Sequence, residues 1–276
     1  MLLGRIGRKT PAKPEYIAGE IGADIKEIEI PAPATGINHC ATILKLKLKD
    51  GTDAIHLIKK SCSKPVVKFI VDTYGVIPYC WGHWTEFFPS LCRLEEEYKG
   101  RLQGLRMSYG MHVHDMQDER QRLARWEKLV SENFVRERSS SLDILPSGER
   151  IIVVDIISSL IENRNEVHVV NIQNKGAIEN LPYDAVVEVS SLVGGYGIFP
   201  IYVGKLPEHL TAILNSHITC QKLTVEAALT GDRDIAYQAF LHDPQTAAKL
   251  QPEEARKLLN EMLKAHANYL PNFFKE

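Results

Sequence analysis

Three short stretches carry side chains whose types and spacing could do chemistry. In ATGINHCATI (34–43), Asn38 and His39 sit among turn-forming residues immediately before an alternating segment. The run is either an ordinary turn leading into a strand, or a strand end that holds His39 and Asn38 over a site. In MHVHDM, His112 and His114 stand two apart. On a strand they would share a face and could chelate a metal. No third ligand lies close in sequence, so a solvated segment is the plainer reading. In GHWTEFF, Glu86 follows His83 by three residues, which puts both on one face of a helix. That spacing suits a metal or a sugar-binding pair, although packing at a helix start is the plainer reading.

Other chemistries lack their signatures. LLGRIGRK has two glycines, but no preceding strand and no third glycine, so it is not a dinucleotide fingerprint. The sequence contains no Walker-type loop, nucleophile elbow or HExxH. Asp143 and Glu149 are two carboxylates in a loop that nothing else marks as a glycosidase pair. The 276 residues are 44% apolar and 25% charged, as in ordinary globular proteins. A net charge of −2 and a pI near 6.6 give no electrostatic reason to expect nucleic acid or an anionic membrane as partner. No apolar run approaches the roughly 20 residues that span a bilayer, and the basic N-terminus lacks the apolar core of a secretion signal. Five cysteines without a CxxC pair point to free thiols and a cytoplasmic protein rather than a disulfide framework.

Several elements must position these groups. Pro14 opens a helix over EYIAGEI, and IKEIEIP alternates as a half-buried strand does. After the GINH turn, CATILKLKLKDG reads as a second strand ending at Asp50-Gly51. Residues 64–74 and 84–98 read as helices, the second interrupted at Pro89. A long charged helix over 118–141 shows a thin apolar stripe at Leu123, Trp126, Val130 and Phe134, followed by a loop over 139–149. IIVVDIISSLIEN is a helix, or a buried strand entering one. EVHVVNIQ and DAVVEVSS are strands separated by the turn-rich NKGAIENLPY. Pro207 then leads into a helix of about 23 residues stopped at Thr230-Gly231, and two more amphipathic helices follow. The class is α+β.

GINH, GHWTEFFP, NIQNKGAIENLPYDAVVEVSSLVGGYGIFPIYVGKLPEHL and LTVEAALTGDRDIAYQAFLHDP occur in one order. Together they closely resemble the C-terminal portion of the family 4 glycoside hydrolases, from about residue 15 to 276. The resemblance is most specific over 171–244. It implies the substrate and metal domain of a two-domain enzyme like lactate or malate dehydrogenase, assembled as a homo-oligomer. It also implies a redox route to hydrolysis of a small-molecule glycoside, for which no two-carboxylate pair is needed. NAD takes hydride from the sugar, a base removes the neighbouring proton, the leaving group departs, water adds and the hydride returns. A divalent metal, usually Mn2+, polarises the sugar oxygens. By the same resemblance His39 is a metal ligand and Asn38 touches a sugar hydroxyl. His83 is then a catalytic residue and Glu86 a substrate-binding one at the edge of the same pocket.

Three departures shape the expectation. The family's cysteine ligand, in a GxCH segment, has no counterpart, and Cys40 is only a neighbour of His39. No Rossmann domain precedes the matching region, so no residue is assigned to NAD, and residues 1–14 do not resemble family sequence. The Asp of the family's Asp-x-His is replaced in Trp81-Gly82-His83, leaving Tyr79 or Tyr74 as alternative bases. The expectation is therefore a truncated glycosidase chain, inactive by itself. A non-catalytic sugar-binding or oligomerisation module is the alternative.

Overall fold

The computed structural model describes residues 34–62, 65–79, 84–89, 121, 124 and 152–274. The elements expected over 15–21 and 25–31, nearly all of the charged helix over 118–141, the 139–149 loop and the His112–His114 pair lie outside them.

Among the described residues, six strands form one antiparallel sheet: β1 (Ala34–Ile37), β2 (Cys40–Ile43), β3 (Ile77–Pro78), β4 (Glu166–Gln173), β5 (Val186–Gly194) and β6 (Gly197–Pro200). The spatial order is β3-β2-β1-β5-β4, with β6 beside β5. The helices are α1 (Ala54–Ser61), α2 (Pro65–Tyr74), α3 (Ile152–Ile161), α4 (Glu208–Thr230), α5 (Arg233–His242), α6 (Pro244–Lys249) and α7 (Pro252–Ala265).

Strand alternation decides which side chains meet which layer. On β5, Val187, Val189 and Val193 are fully buried, whereas Val186 and Leu192 are 44% and 41% exposed. The buried side joins Ile37 and Cys40 to Leu210, Leu214 and Ile218 of α4 in the main core. A second core lies on the opposite face at the β2–β3 end, where α1 and α2 pack Ala54, Ile58, Val67 and Val71 against Ile43 and Ile77. Each such aliphatic side chain contributes about 1.5–3 kcal/mol by leaving water.

Asn174 organises the connection between β4 and β5. Its amide donates to the carbonyls of Ile178, Leu181 and Pro182, and its oxygen accepts from the Ile178 N–H. Asn180 ties the same loop to the start of α4, donating to the Leu206 carbonyl and Thr211 hydroxyl while accepting from the Leu206 N–H. At the far end of α4, Gly231 adopts φ 77°. A Cβ there would run into the backbone of Asn272, so only glycine fits this left-handed cap. Asp232 then caps α5 by accepting from the Asp234 and Ile235 N–H groups. The stretch over 171–244 that most specifically carries the family resemblance therefore includes these loop and cap devices as well as β5 and α4.

The structure corrects four readings. The strand before the Asn-His turn is ATGI itself, so Gly36 and Ile37 belong to the sheet rather than the turn. β2 ends at Ile43 instead of running to Asp50. Residues 46–54 instead fold back on themselves, with Leu48 N–H donating to Thr52 O and Ala54 N–H to Leu46 O. The Leu46 and Leu48 alternation still points inward, but outside the ladder. Trp84–Phe87 is a 3₁₀ turn rather than the start of an α-helix, because Pro89 drives Phe88 out of the helical region. The short strand β6 and the helix α6 have no counterpart in the sequence reading.

Asn174→Ala removes four hydrogen bonds at once, three of them buried. It is expected to cost about 3 kcal/mol or more of stability, read as a lowered urea midpoint with an unchanged slope.

Candidate functional site

The β1–β2 hairpin pairs Ile37 with Cys40, leaving Asn38 and His39 as its two-residue tip. His39 has φ 65° while Asn38 keeps a negative φ. Positive φ at the second turn residue alone is the type II pattern, in which glycine or asparagine normally occupies that place. A histidine there stores about 1–3 kcal/mol of backbone strain that the surroundings must hold. Asn38 is exposed and His39 partly buried.

The neighbouring acid comes from β5. Gly36 stands opposite Glu188 in the β1–β5 ladder, which sets the Glu188 carboxyl beside the backbone N–H of His39. Burial pushes this carboxyl up from 4.5 to about 7, with the His39 N–H pulling it back down. Along the same row, Ala41 flanks Gly36 and Asn171 flanks Glu188. The Asn171 Oδ1 atom is buried without a hydrogen-bond partner. Sequence reasoning passed over both Glu188 and Asn171. The only available signal was a carboxylate interrupting VVEV, which is also how a solvated strand face reads.

The 3₁₀ turn bearing Glu86 is brought to the same hairpin. Trp84 Nε1–H donates to the Ala41 carbonyl at 3.1 Å, and the Tyr79 N–H donates to that carbonyl at 2.8 Å. Trp84 and Phe88 pack around Tyr74, with ring centroids 6.1 and 5.2 Å from it. Phe87 lies 4.4 Å from the His217 ring. The Asn38–His39 and Glu86 segments, separated by more than forty residues in the chain, are thus anchored to one strand end. His83 lies outside the described residues. Tyr74, one of the two alternative bases, is a poor one: burial raises its phenol above the ordinary value, and its ring is locked among aromatics. Cys40 points into the α4 core, away from the face that carries Glu188. The void it lines with Thr42, Trp84 and Leu214 is about 10 Å³, the size of one water at most.

A second polar cluster joins α3 to β4. The Ser159 hydroxyl donates to Glu166 Oε2 at 2.5 Å and lies 2.9 Å from His168 Nε2. The resemblance to a Ser-His-carboxylate triad is superficial. The serine proton is committed to the carboxylate, whose pKa is lowered chiefly by that bond, so the imidazole is not placed as its base. The trio acts as a clip that docks α3.

The donor chemistry beside His39 suits a borderline divalent cation in kind, being imidazole with carboxylate and amide oxygens. In number it falls short. Among the described residues, no group of three or more His, Cys, Asp or Glu side chains converges to hold a metal. The described residues therefore do not by themselves make a metal site.

Comparison with known proteins bears on the fold and the lineage. Residues 34–246 match the model of the family 4 glycosyl hydrolase C-terminal domain. The chain belongs to that family. It is 29% identical over 252 residues to the alpha-galactosidase of Bacillus subtilis (strain 168), covering 86% of this chain and 55% of that protein. It is also similar in fold to a 6-phospho-alpha-glucosidase from gut microorganisms solved with NAD and glucose-6-phosphate, at TM-score 0.67 and 21% identity over 94% of this chain and 58% of that one. A 6-phospho-alpha-glucosidase from gut microorganisms solved with NAD and Mn2+ gives TM-score 0.66 at 18% identity, over 92% of this chain and 59% of that one. The chain spans about half the length of the curated relative, 55%. His39 and Glu86 both fall inside the matched region.

Two outcomes follow from this geometry. His39→Gly relieves the left-handed strain and is expected to stabilise the fold by about 1 kcal/mol, seen as a higher thermal midpoint. Glu188 has a folded pKa above its unfolded one, so the native state holds the extra proton. Its contribution is full below 4.5 and is lost as pH rises through about 7. The thermal midpoint should fall across that window, and Glu188→Gln should flatten the fall.

Proposed function

We propose that this chain supplies the substrate-facing part of a family 4 glycosidase, acting on a small-molecule glycoside. One observation carries the reading: His39, within the family-matched region, adopts a left-handed backbone at a hairpin tip beside the Glu188 carboxyl. Strain of this kind persists where surrounding structure enforces it, and it gathers at functional sites.

In this reading the chain's own residues bind and orient. The exposed Asn38 amide offers a donor and an acceptor to a sugar hydroxyl. His39 presents its imidazole beside it, and Glu86 approaches on the turn tied to Ala41 by Trp84. When bound, a divalent metal would polarise sugar oxygens and NAD would accept and return a hydride. His39 would be one ligand of that metal, with the remaining ligands and the dinucleotide site outside the described residues. His83 stays the candidate acid–base group. One relative that covers most of this chain is an alpha-galactosidase, and the similar folds include phospho-glucosidases. The sugar and any phosphate are left open on that basis.

Mixed with NAD+, Mn2+ and nitrophenyl glycosides, the chain alone is expected to release no nitrophenol, and calorimetry is expected to detect no NAD binding. Turnover, or an affinity in the micromolar range, overturns the division of labour proposed here.

A further inference from the structure

We propose that Trp84 is a positioning residue whose indole N–H sets where Glu86 stands relative to the Asn38–His39 tip. The inference rests on reading Glu86 as a substrate-binding residue.

One peptide group serves both chemistry-bearing segments. Ala41 follows His39 by two residues and stands opposite Gly36 in the β1–β2 ladder. Its carbonyl is turned toward β3, where the Tyr79 N–H takes it at 2.8 Å next to the Thr42–Pro78 pair. A carbonyl oxygen has two acceptor positions, and the Trp84 indole fills the second at 3.1 Å. The ladder bond already satisfies this strand end. The indole bond is therefore not needed to hold the sheet, and what it holds is the turn. The constraint is stronger on the side of the ring. Indole has a single N–H, and Trp84 is 1% exposed, out of reach of solvent. A buried donor that lost its acceptor would keep the whole cost of leaving water. Apolar packing is non-directional, whereas this bond has one acceptor and one direction.

The turn transmits that direction to Glu86. Residues three apart eclipse in a 3₁₀ turn, so Trp84 and Phe87 share a side. Both meet α4. Trp84 lines the void of about 10 Å³ with Leu210 and Leu214, and the Phe87 ring lies 4.4 Å from that of His217. Phe88 closes over Trp84 at 5.5 Å. So little free volume leaves the indole no second seat. Glu86 stands about a third of a turn from the side that Trp84 and Phe87 share, and it remains partly exposed. Phe87 thus seats the turn on α4, and Trp84 seats it on the hairpin strand. With both seats fixed, the base of Glu86 has one place from which to reach a ligand held at the tip.

The test is NMR on the whole chain, wild type against Trp84→Phe and Leu214→Ala. Phe keeps a buried ring and loses the N–H, whereas Leu214→Ala loosens the same layer and keeps the indole bond. Residual dipolar couplings read the direction of each N–H. Those of Glu86 and Phe87 should change in Trp84→Phe beyond the spread of the Thr42 and Val189 ladder amides. In Leu214→Ala they should stay within that spread. Unchanged couplings in the Phe variant overturn the proposal, as does an equal change in the Ala variant, which would make the ring mere packing. The wild type supplies a check that needs no variant to fold. Its Trp84 indole proton should exchange with solvent about a hundredfold or more slower than a free indole, and exchange at the free rate also overturns the proposal. Titration with methyl α-galactoside in the presence of Mn2+, followed at the Glu86 amide, separates this from the functional reading. An affinity about two- to tenfold lower in Trp84→Phe and unchanged in Leu214→Ala supports both. A wild-type Glu86 amide that does not respond to the sugar, or a Phe variant of unchanged affinity, fails the reading of Glu86 as a substrate-binding residue. The couplings still decide the role of Trp84 in that case.

Discussion

The molecule depends on one pairing between distant strands. β1 and β5 meet in a two-residue register, Thr35 with Val189 and Gly36 with Glu188, joining parts of the chain more than 150 residues apart in sequence. Ser190 strengthens the seam by accepting the Ala34 N–H through its hydroxyl at 3.1 Å. Because side chains alternate along a strand, this register sends Val187 and Val189 to the α4 core and Glu188 to the opposite face beside the hairpin. A slip of one residue would bury the carboxylate among Leu210, Leu214 and Ile218 and turn two valines to the open side. Such a slip would place an unpaired carboxylate in an apolar layer, which costs far more than the two-residue ladder supplies.

Around that seam, polar groups work on the backbone more than on one another. Asn174, Asn180, Asp232 and Trp84 all use their side chains to hold main-chain atoms. This is how a protein fixes irregular connections without leaving buried amides and carbonyls unpaired. It also explains the division in the family-matched region. The long, specific motif over 171–244 maintains the loop between β4 and β5, the start of α4 and its left-handed end. The chemistry-bearing segments are the short ones, GINH and WTEFFP, and their meeting place is the Ala41 carbonyl.

The open side of the sheet has a distinct character. Val167, Leu192 and Phe199 form a cross-strand row that is 36%, 41% and 53% exposed. Glu188 lies on this same face but nearer the hairpin, and it is there that its carboxyl is pushed up by burial. One sheet face thus carries an apolar row at one end and a partly desolvated acid beside the candidate site at the other.

Much of this was legible in the sequence, for local reasons. The helix over Glu208–Thr230, with its stop at Gly231, follows from Pro207, a run unbroken by proline or glycine and a glycine able to take positive φ. The strands β4 and β5 follow from dense β-branched runs bounded by turn residues. The chemical types at the Asn38–His39 tip were likewise visible. Tertiary structure alone decided the rest. The alternation of Leu44, Leu46 and Leu48 is the same whether those residues sit in a ladder or a folded-back loop, and hydrogen bonding over 46–54 chose the loop. Glu188 reads as solvated in the string VVEV. Only the β1–β5 register brings Gly36 opposite it and sets it beside the hairpin tip, since periodicity describes a strand's two faces but not which strand lies beside it.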